Sequence, residues 1–105
     1  MYAAFCQALV REAGALRQGL EDGDGTDVGR LVTPGQLDRI ERHLDDARAK
    51  GGRVVGGEVL DRARLLIRPA IVLDATPEML VMREETFGPV LPVMPVATLD
   101  DAVHL

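Results

Sequence analysis

Reactive side chains are sparse in this chain, and the densest group lies close to its C-terminal end. Arg83-Glu84-Glu85-Thr86-Phe87-Gly88-Pro89-Val90 sets two carboxylates and one aromatic ring immediately before a Gly-Pro pair and the apolar run 91–96. A carboxylate accepts two hydroxyl donors well, and an aromatic ring orients a second flat ring by its face or edge. Gly88 supplies backbone freedom. Pro89 fixes φ and removes a donor, which suits the first position of a strand. The pair predicts a stiff bend that aims Glu85 and Phe87 to one side of a sheet, an arrangement suited to a ligand built of a sugar and a ring.

The remaining candidates are isolated. Cys6 follows Phe5 at the edge of an apolar helical stripe and has no neighbouring histidine, so it reads as a buried structural thiol. His43 and His104 have no second ligand at metal spacing and read as surface residues. Asp22, Asp24 and Asp27 alternate with glycines as turn formers do, and the glutamate that closes a twelve-residue calcium loop is missing. No catalytic residue and no metal site is expected within the chain.

Composition narrows the class of protein. The 105 residues allow one modest domain, with 47% hydrophobic and 28% charged residues, as in ordinary globular chains. A net charge of −5 and the lack of a basic stripe argue against a nucleic-acid partner. A single cysteine excludes an internal disulfide framework and fits a reducing, cytoplasmic setting. No apolar run approaches the roughly 20 residues that span a bilayer. Tyr2, Phe5 and Phe87 are the only aromatics, so the core must be aliphatic.

The elements that must position these groups can be read from periodicity and caps. Phe5, Leu9 and Leu16, with Ala8 and Ala13, predict a helix over 3–18, followed by a Gly/Asp loop over 19–32. Thr33, Pro34 and Gln36 form a helix start of the capping-box type. Leu37, Ile40, Leu44 and Ala47 make the apolar stripe of that second helix, and Gly51-Gly52 stops it. A short strand at 53–55 and a polar connection at 58–64 follow. The run 65–73 is β-rich, with Pro69 implying an edge or a bulge. Residues 74–77 turn the chain, 78–83 are ambiguous, and 90–96 read as a strand. Thr98-Leu99-Asp100-Asp101 caps a last helix of which fewer than two turns remain at Leu105, so the chain is expected to be a piece of a larger domain. Helices alternating with short strands give an α/β class with at least one parallel crossover.

With the elements in order, the chain resembles the aldehyde dehydrogenase superfamily along nearly its whole length. Glu84 to Pro89 match that family's Glu-Glu-x-Phe-Gly-Pro motif. Pro69, Ile71, Val72, Leu73, Thr76, Pro77 and Met79 match a second family pattern, and Gly25 to Leu31 are similar to the loop between its helices. The resemblance implies part of an α/β catalytic domain, with helices packed on a short mixed or parallel sheet. It also implies oxidation of an aldehyde to a carboxylic acid with NAD or NADP. In such enzymes a cysteine thiolate attacks the aldehyde, hydride passes to the nicotinamide, and water releases the acid.

Carried over by position, Glu85 resembles the glutamate that accepts hydrogen bonds from the nicotinamide ribose, and Phe87 the aromatic beside the nicotinamide. The resemblance places the nucleophile segment, the general base, the dinucleotide-binding domain and the C-terminal part outside 1–105, so the chain alone is expected to be inactive. The complete enzyme is expected to be a homo-oligomer. Arg68 departs from the family, which commonly has a glutamate there. The competing expectation is a non-catalytic α/β remnant that binds a protein, such as a full-length aldehyde dehydrogenase subunit, at its sheet edge and last helix.

Overall fold

A computed structural model describes residues 1–20 and 25–105. The chain runs α1 (Tyr2–Gly14), α2 (Pro34–Ala49), β1 (Arg53–Gly56), β2 (Val59–Asp61), β3 (Leu66–Ile67), β4 (Ala70–Leu73), α3 (Leu80–Arg83), β5 (Val90–Pro92) and α4 (Leu99–Val103). Asp22, Gly23 and Asp24 of the expected loop lie outside the described residues. No helix among those described is long and apolar enough to cross a membrane.

The centre of the fold is β4. All four of its residues, Ala-Ile-Val-Leu, are buried, as expected for a strand covered on both faces. Ala70 and Val72 point to one face and join Leu37, Ile40, Leu44 and Ala47 of α2. Ile71 and Leu73 point to the other and join Cys6, Leu9, Val10 and Ala13 of α1. The two-residue period of the strand thus divides the core between two helices. β1 flanks β4 antiparallel, with Arg53 opposite Leu73, and β5 flanks it parallel, with Ala70 opposite Val90. The connection through α3 is the expected parallel crossover.

Several details differ from the expectations. Helix α1 ends at Gly14, and its inner face is Tyr2, Cys6, Leu9, Val10 and Ala13. Phe5 is 54% exposed, and Cys6, expected at the edge of the stripe, sits at its centre with 4% exposure. The run 65–73 splits at Arg68-Pro69 into β3 and β4, which belong to different sheets, so Pro69 marks a corner. The supposed polar connection contains β2, which forms a small hairpin with β3. Gly56 makes the corner possible, for it has φ +81° and a Cβ there would sit 2.0 Å from the Pro69 carbonyl oxygen. β5 stops at Pro92, a residue without a ladder donor, on the sheet edge.

Both predicted helix starts are present. The Thr33 hydroxyl accepts the Gln36 amide at 3.2 Å, and the Thr98 hydroxyl accepts the Asp101 amide at 3.1 Å. The reciprocal bond of a capping box forms at Asp101. At the earlier helix the Gln36 side chain accepts from Val32 at 3.0 Å instead, leaving its amide nitrogen to reach elsewhere. Of the loop aspartates, Asp27 accepts from the Arg17 backbone and guanidinium at 2.9 and 3.2 Å, so the loop's two ends are tied together.

Candidate functional site

One face of α2 serves as a track on which α3 and the segment between it and β5 are laid. Along the segment the partners on α2 move broadly from Asp46 towards Gln36. The Leu80 amide donates to Asp46 at 2.8 Å. That bond, with Lys50 at 2.8 Å, holds the Asp46 carboxyl below the usual carboxylate range. Arg42 pairs with Glu84 at 3.3 Å. The Nδ1 of His43 lies 2.8 Å from the Thr86 hydroxyl. Farther back, the Gln36 amide nitrogen donates to the Phe87 carbonyl. Gly88 rests against Ile40, where a Cβ would come within 2.5 Å of Cδ1.

These anchors determine which side chains face outward. Thr86 is buried, while its neighbours Glu85 and Phe87 are exposed, Phe87 by 67%. Phe87 itself has φ +53°, in the left-handed region. A non-glycine residue there costs about 1–2 kcal/mol, and such strain persists where the surroundings over-determine the backbone. The sequence suggested that Gly88 would carry the unusual angle. Phe87 carries it, and Gly88 is required for space against Ile40.

The two glutamates differ in availability. Glu84 is held by Arg42 and lies 3.8 Å from His43. Among the described residues no hydrogen bond or ion pair engages Glu85, so its carboxylate is free to accept from a ligand. Asp74, at the opposite side of the sheet, is tied to Tyr2, whose hydroxyl donates to Oδ1 at 3.0 Å and accepts the Asp74 amide at 2.8 Å.

His43 was expected at the surface and is wholly buried. It follows Ile40 by one turn and precedes Leu44, so the apolar stripe of α2 carries it inward. Burial pushes its pKa down, and Glu84 partly opposes that shift. From sequence His43 was weighed only as a metal ligand and read as a surface residue, and Thr86 was not singled out. The available signal was the helical spacing of His43 within a stripe already identified.

Glu85 and Phe87 stand on a ridge. A cleft of about 540 Å³ beside Tyr2, Cys6 and Arg53 lies elsewhere, and another of about 450 Å³ between α1 and β5 has only Gly88 and Pro89 of the motif at its lip. Neither cleft is lined by Glu85 or Phe87.

The model of the aldehyde dehydrogenase family matches residues 1–105. The chain belongs to that family. It is 40% identical over 104 residues to a probable coniferyl aldehyde dehydrogenase of Caulobacter vibrioides, a match covering 92% of this chain and 21% of that protein. It is 36% identical over 101 residues to a betaine aldehyde dehydrogenase of Cereibacter sphaeroides, covering 95% of the chain and 21% of the relative. The aldehyde dehydrogenase of Brucella melitensis superposes with a TM-score of 0.91 at 29% identity, covering 98% of this chain and 21% of that one. The Mycobacterium tuberculosis aldehyde dehydrogenase solved with NAD+ gives 0.88 at 28% identity, covering 98% and 22%. The chain thus spans about a fifth of the length of the family members it matches.

Proposed function

We propose that this chain is part of the catalytic domain of an NAD(P)-dependent aldehyde dehydrogenase and forms the wall that receives the nicotinamide end of the cofactor. The observation that carries the reading is the pair Glu85 and Phe87, both exposed on a backbone held in a left-handed turn, with the Glu85 carboxylate unengaged among the described residues. The fit is chemical. A free carboxylate accepts the two ribose hydroxyls, and an exposed ring lies against a flat heterocycle. Placement matters because an ångström of misplacement costs ~100-fold in rate. When bound, NAD(P) supplies the acceptor for the hydride lost by an aldehyde as it becomes a carboxylic acid.

In this reading the nucleophilic cysteine and general base lie in other parts of the complete enzyme, a cytoplasmic homo-oligomer. Cys6 is packed between α1 and β4, away from the ridge. The relatives' names span coniferyl, betaine and succinate-semialdehyde substrates, which suits a shared segment that serves the cofactor side.

The test is Glu85→Gln in the complete enzyme. Loss of one charge-assisted acceptor should raise the cofactor Kd about tenfold and lower turnover, with the KM for aldehyde unchanged. Unaltered cofactor binding and turnover would remove Glu85 from the site. The 105-residue chain alone should reduce no NAD(P) in the presence of an aldehyde, and reduction above background would overturn the assignment of the nucleophile elsewhere.

A further inference from the structure

We propose that His43 is a positioning residue of the cofactor wall, acting through Thr86 to hold the backbone that aims Glu85 and Phe87. The proposal rests on the cofactor reading above and adds a residue that touches neither cofactor nor substrate.

Packing alone does not account for His43. It occupies a position in the apolar stripe of α2 that Leu37, Ile40 and Leu44 fill with aliphatic side chains. Its Nε2 is buried and has no hydrogen-bond partner. An orphaned buried nitrogen destabilises a fold, and an aliphatic residue would avoid that cost. What the imidazole provides is its other nitrogen, 2.8 Å from the hydroxyl of Thr86, the residue between the two exposed groups.

Glu84 favours one direction for that bond, although Arg42 pairs with the same carboxylate. Glu84 Oε2 stands 3.8 Å from Nε2. A proton on Nε2 faces this carboxylate favourably, whereas a lone pair there would meet negative charge. In the tautomer that this carboxylate favours, Nε2 carries the proton and Nδ1 accepts from the Thr86 O–H.

The bond matters because Phe87 is strained. Its φ of +53° needs restraint on both sides. Gln36 holds the Phe87 carbonyl on one side, and the wedge of Gly88 against Ile40 limits the chain beyond it. On the other side, Thr86 is the only buried polar residue of the segment, and His43 is its partner. Without that bond the chain is free to relax at Phe87 to a negative φ, which re-aims Phe87 and Glu85 together.

The experiment uses the complete enzyme and measures the Kd for NAD+ and NADP+ beside the KM for aldehyde. Thr86→Val keeps the shape of the side chain and removes its hydroxyl. It should raise the Kd of whichever cofactor the enzyme uses about tenfold, the ~1.4 kcal/mol of one buried hydrogen bond, and leave the aldehyde KM within about twofold. Thr86→Ser should restore wild-type binding. His43→Phe, which fills the stripe without a nitrogen, should match Thr86→Val and answers independently if that variant does not fold. The double variant should bind no worse than either single, because both changes remove the same bond.

If Glu85→Gln weakens cofactor binding while Thr86→Val and His43→Phe do not, the positioning role is wrong and the cofactor reading stands. If none of the three has an effect, both fall. Additive losses in the double variant would mean two unrelated packing defects and would also overturn the proposal.

Discussion

Gly88→Ala tests the packing that sets the ridge. The added Cβ would lie 2.5 Å from Ile40 Cδ1, 3.2 Å from Ile40 Cγ1 and 3.9 Å from Leu31 Cδ2. Carbon atoms prefer about 3.5–4.0 Å, so the closest approach is about 1 Å too short. Ile40 is wholly buried and can yield only by leaving its rotamer or by pushing the 86–89 segment outward. Overpacking of this kind costs about 1–3 kcal/mol. The reduced freedom of alanine in the unfolded chain returns about 0.4–1 kcal/mol. The net loss is about 0–2.6 kcal/mol, and each kcal/mol lowers Tm by about 4–8 °C in a chain of this size. Thermal and urea unfolding of the 105-residue chain measure it directly.

Ile40→Val removes the offending Cδ1 and alone costs about 0.5–1.5 kcal/mol. Combined with Gly88→Ala it should cost less than the sum of the singles by at least about 0.5 kcal/mol. Strict additivity would show that Ile40 does not limit the backbone at Gly88, and the spatial account of this glycine would be wrong.

Two further outcomes follow from the same geometry. Phe87→Gly removes left-handed strain from a residue that buries little surface, so it should raise the stability of the chain by about 0.5–1 kcal/mol while weakening cofactor binding in the complete enzyme; a loss of stability would mean the ring is needed for the fold. The second concerns acid. His43 has a folded pKa below its ordinary 6.5, lowered chiefly by burial and next by Arg42 and Arg39, with Glu84 and Asp46 opposing. The unfolded chain therefore takes up a proton that the folded chain refuses. Stability should be full above pH 6.5 and fall as the pH drops from there through the folded pKa. Melting curves of the chain from about pH 7.5 to about pH 5 should show this decline, and His43→Phe should flatten it; equal slopes would place the effect on other groups.

The route from sequence to site was uneven. Helix α2 was legible almost residue by residue, because a Thr-Pro start, an apolar stripe and a Gly-Gly stop are local signals that tertiary contacts only reinforced. The strand start at Val90, just after Gly88-Pro89, followed from the same kind of evidence. The hairpin of β2 and β3 was not legible, because strands of three and two residues are too short to show a period. Helix α1 was assigned the wrong inner face, since Phe5 weighs more in a hydrophobic pattern than Cys6 does. The strand pair it packs on, Ile71 and Leu73, accommodates the narrower stripe of Tyr2, Cys6, Leu9 and Ala13.

By itself the sequence determined the α/β class, both capped helix starts and the motif that presents a carboxylate beside a ring. These depend on backbone preferences and side-chain types within a few residues of each other. The resemblance already pointed to Glu85, and the tertiary structure added the physical reason that Glu84 is held by Arg42, some forty residues earlier in the chain. The tertiary structure alone moved the unusual backbone angle from Gly88 to Phe87, since the requirement at Gly88 is the volume of Ile40. It also took His43 from the expected surface into the core and set it against Thr86. Contacts between distant residues carry no local period, so the part of the site that holds the motif in place appears only when α2 and the 80–88 segment are laid side by side.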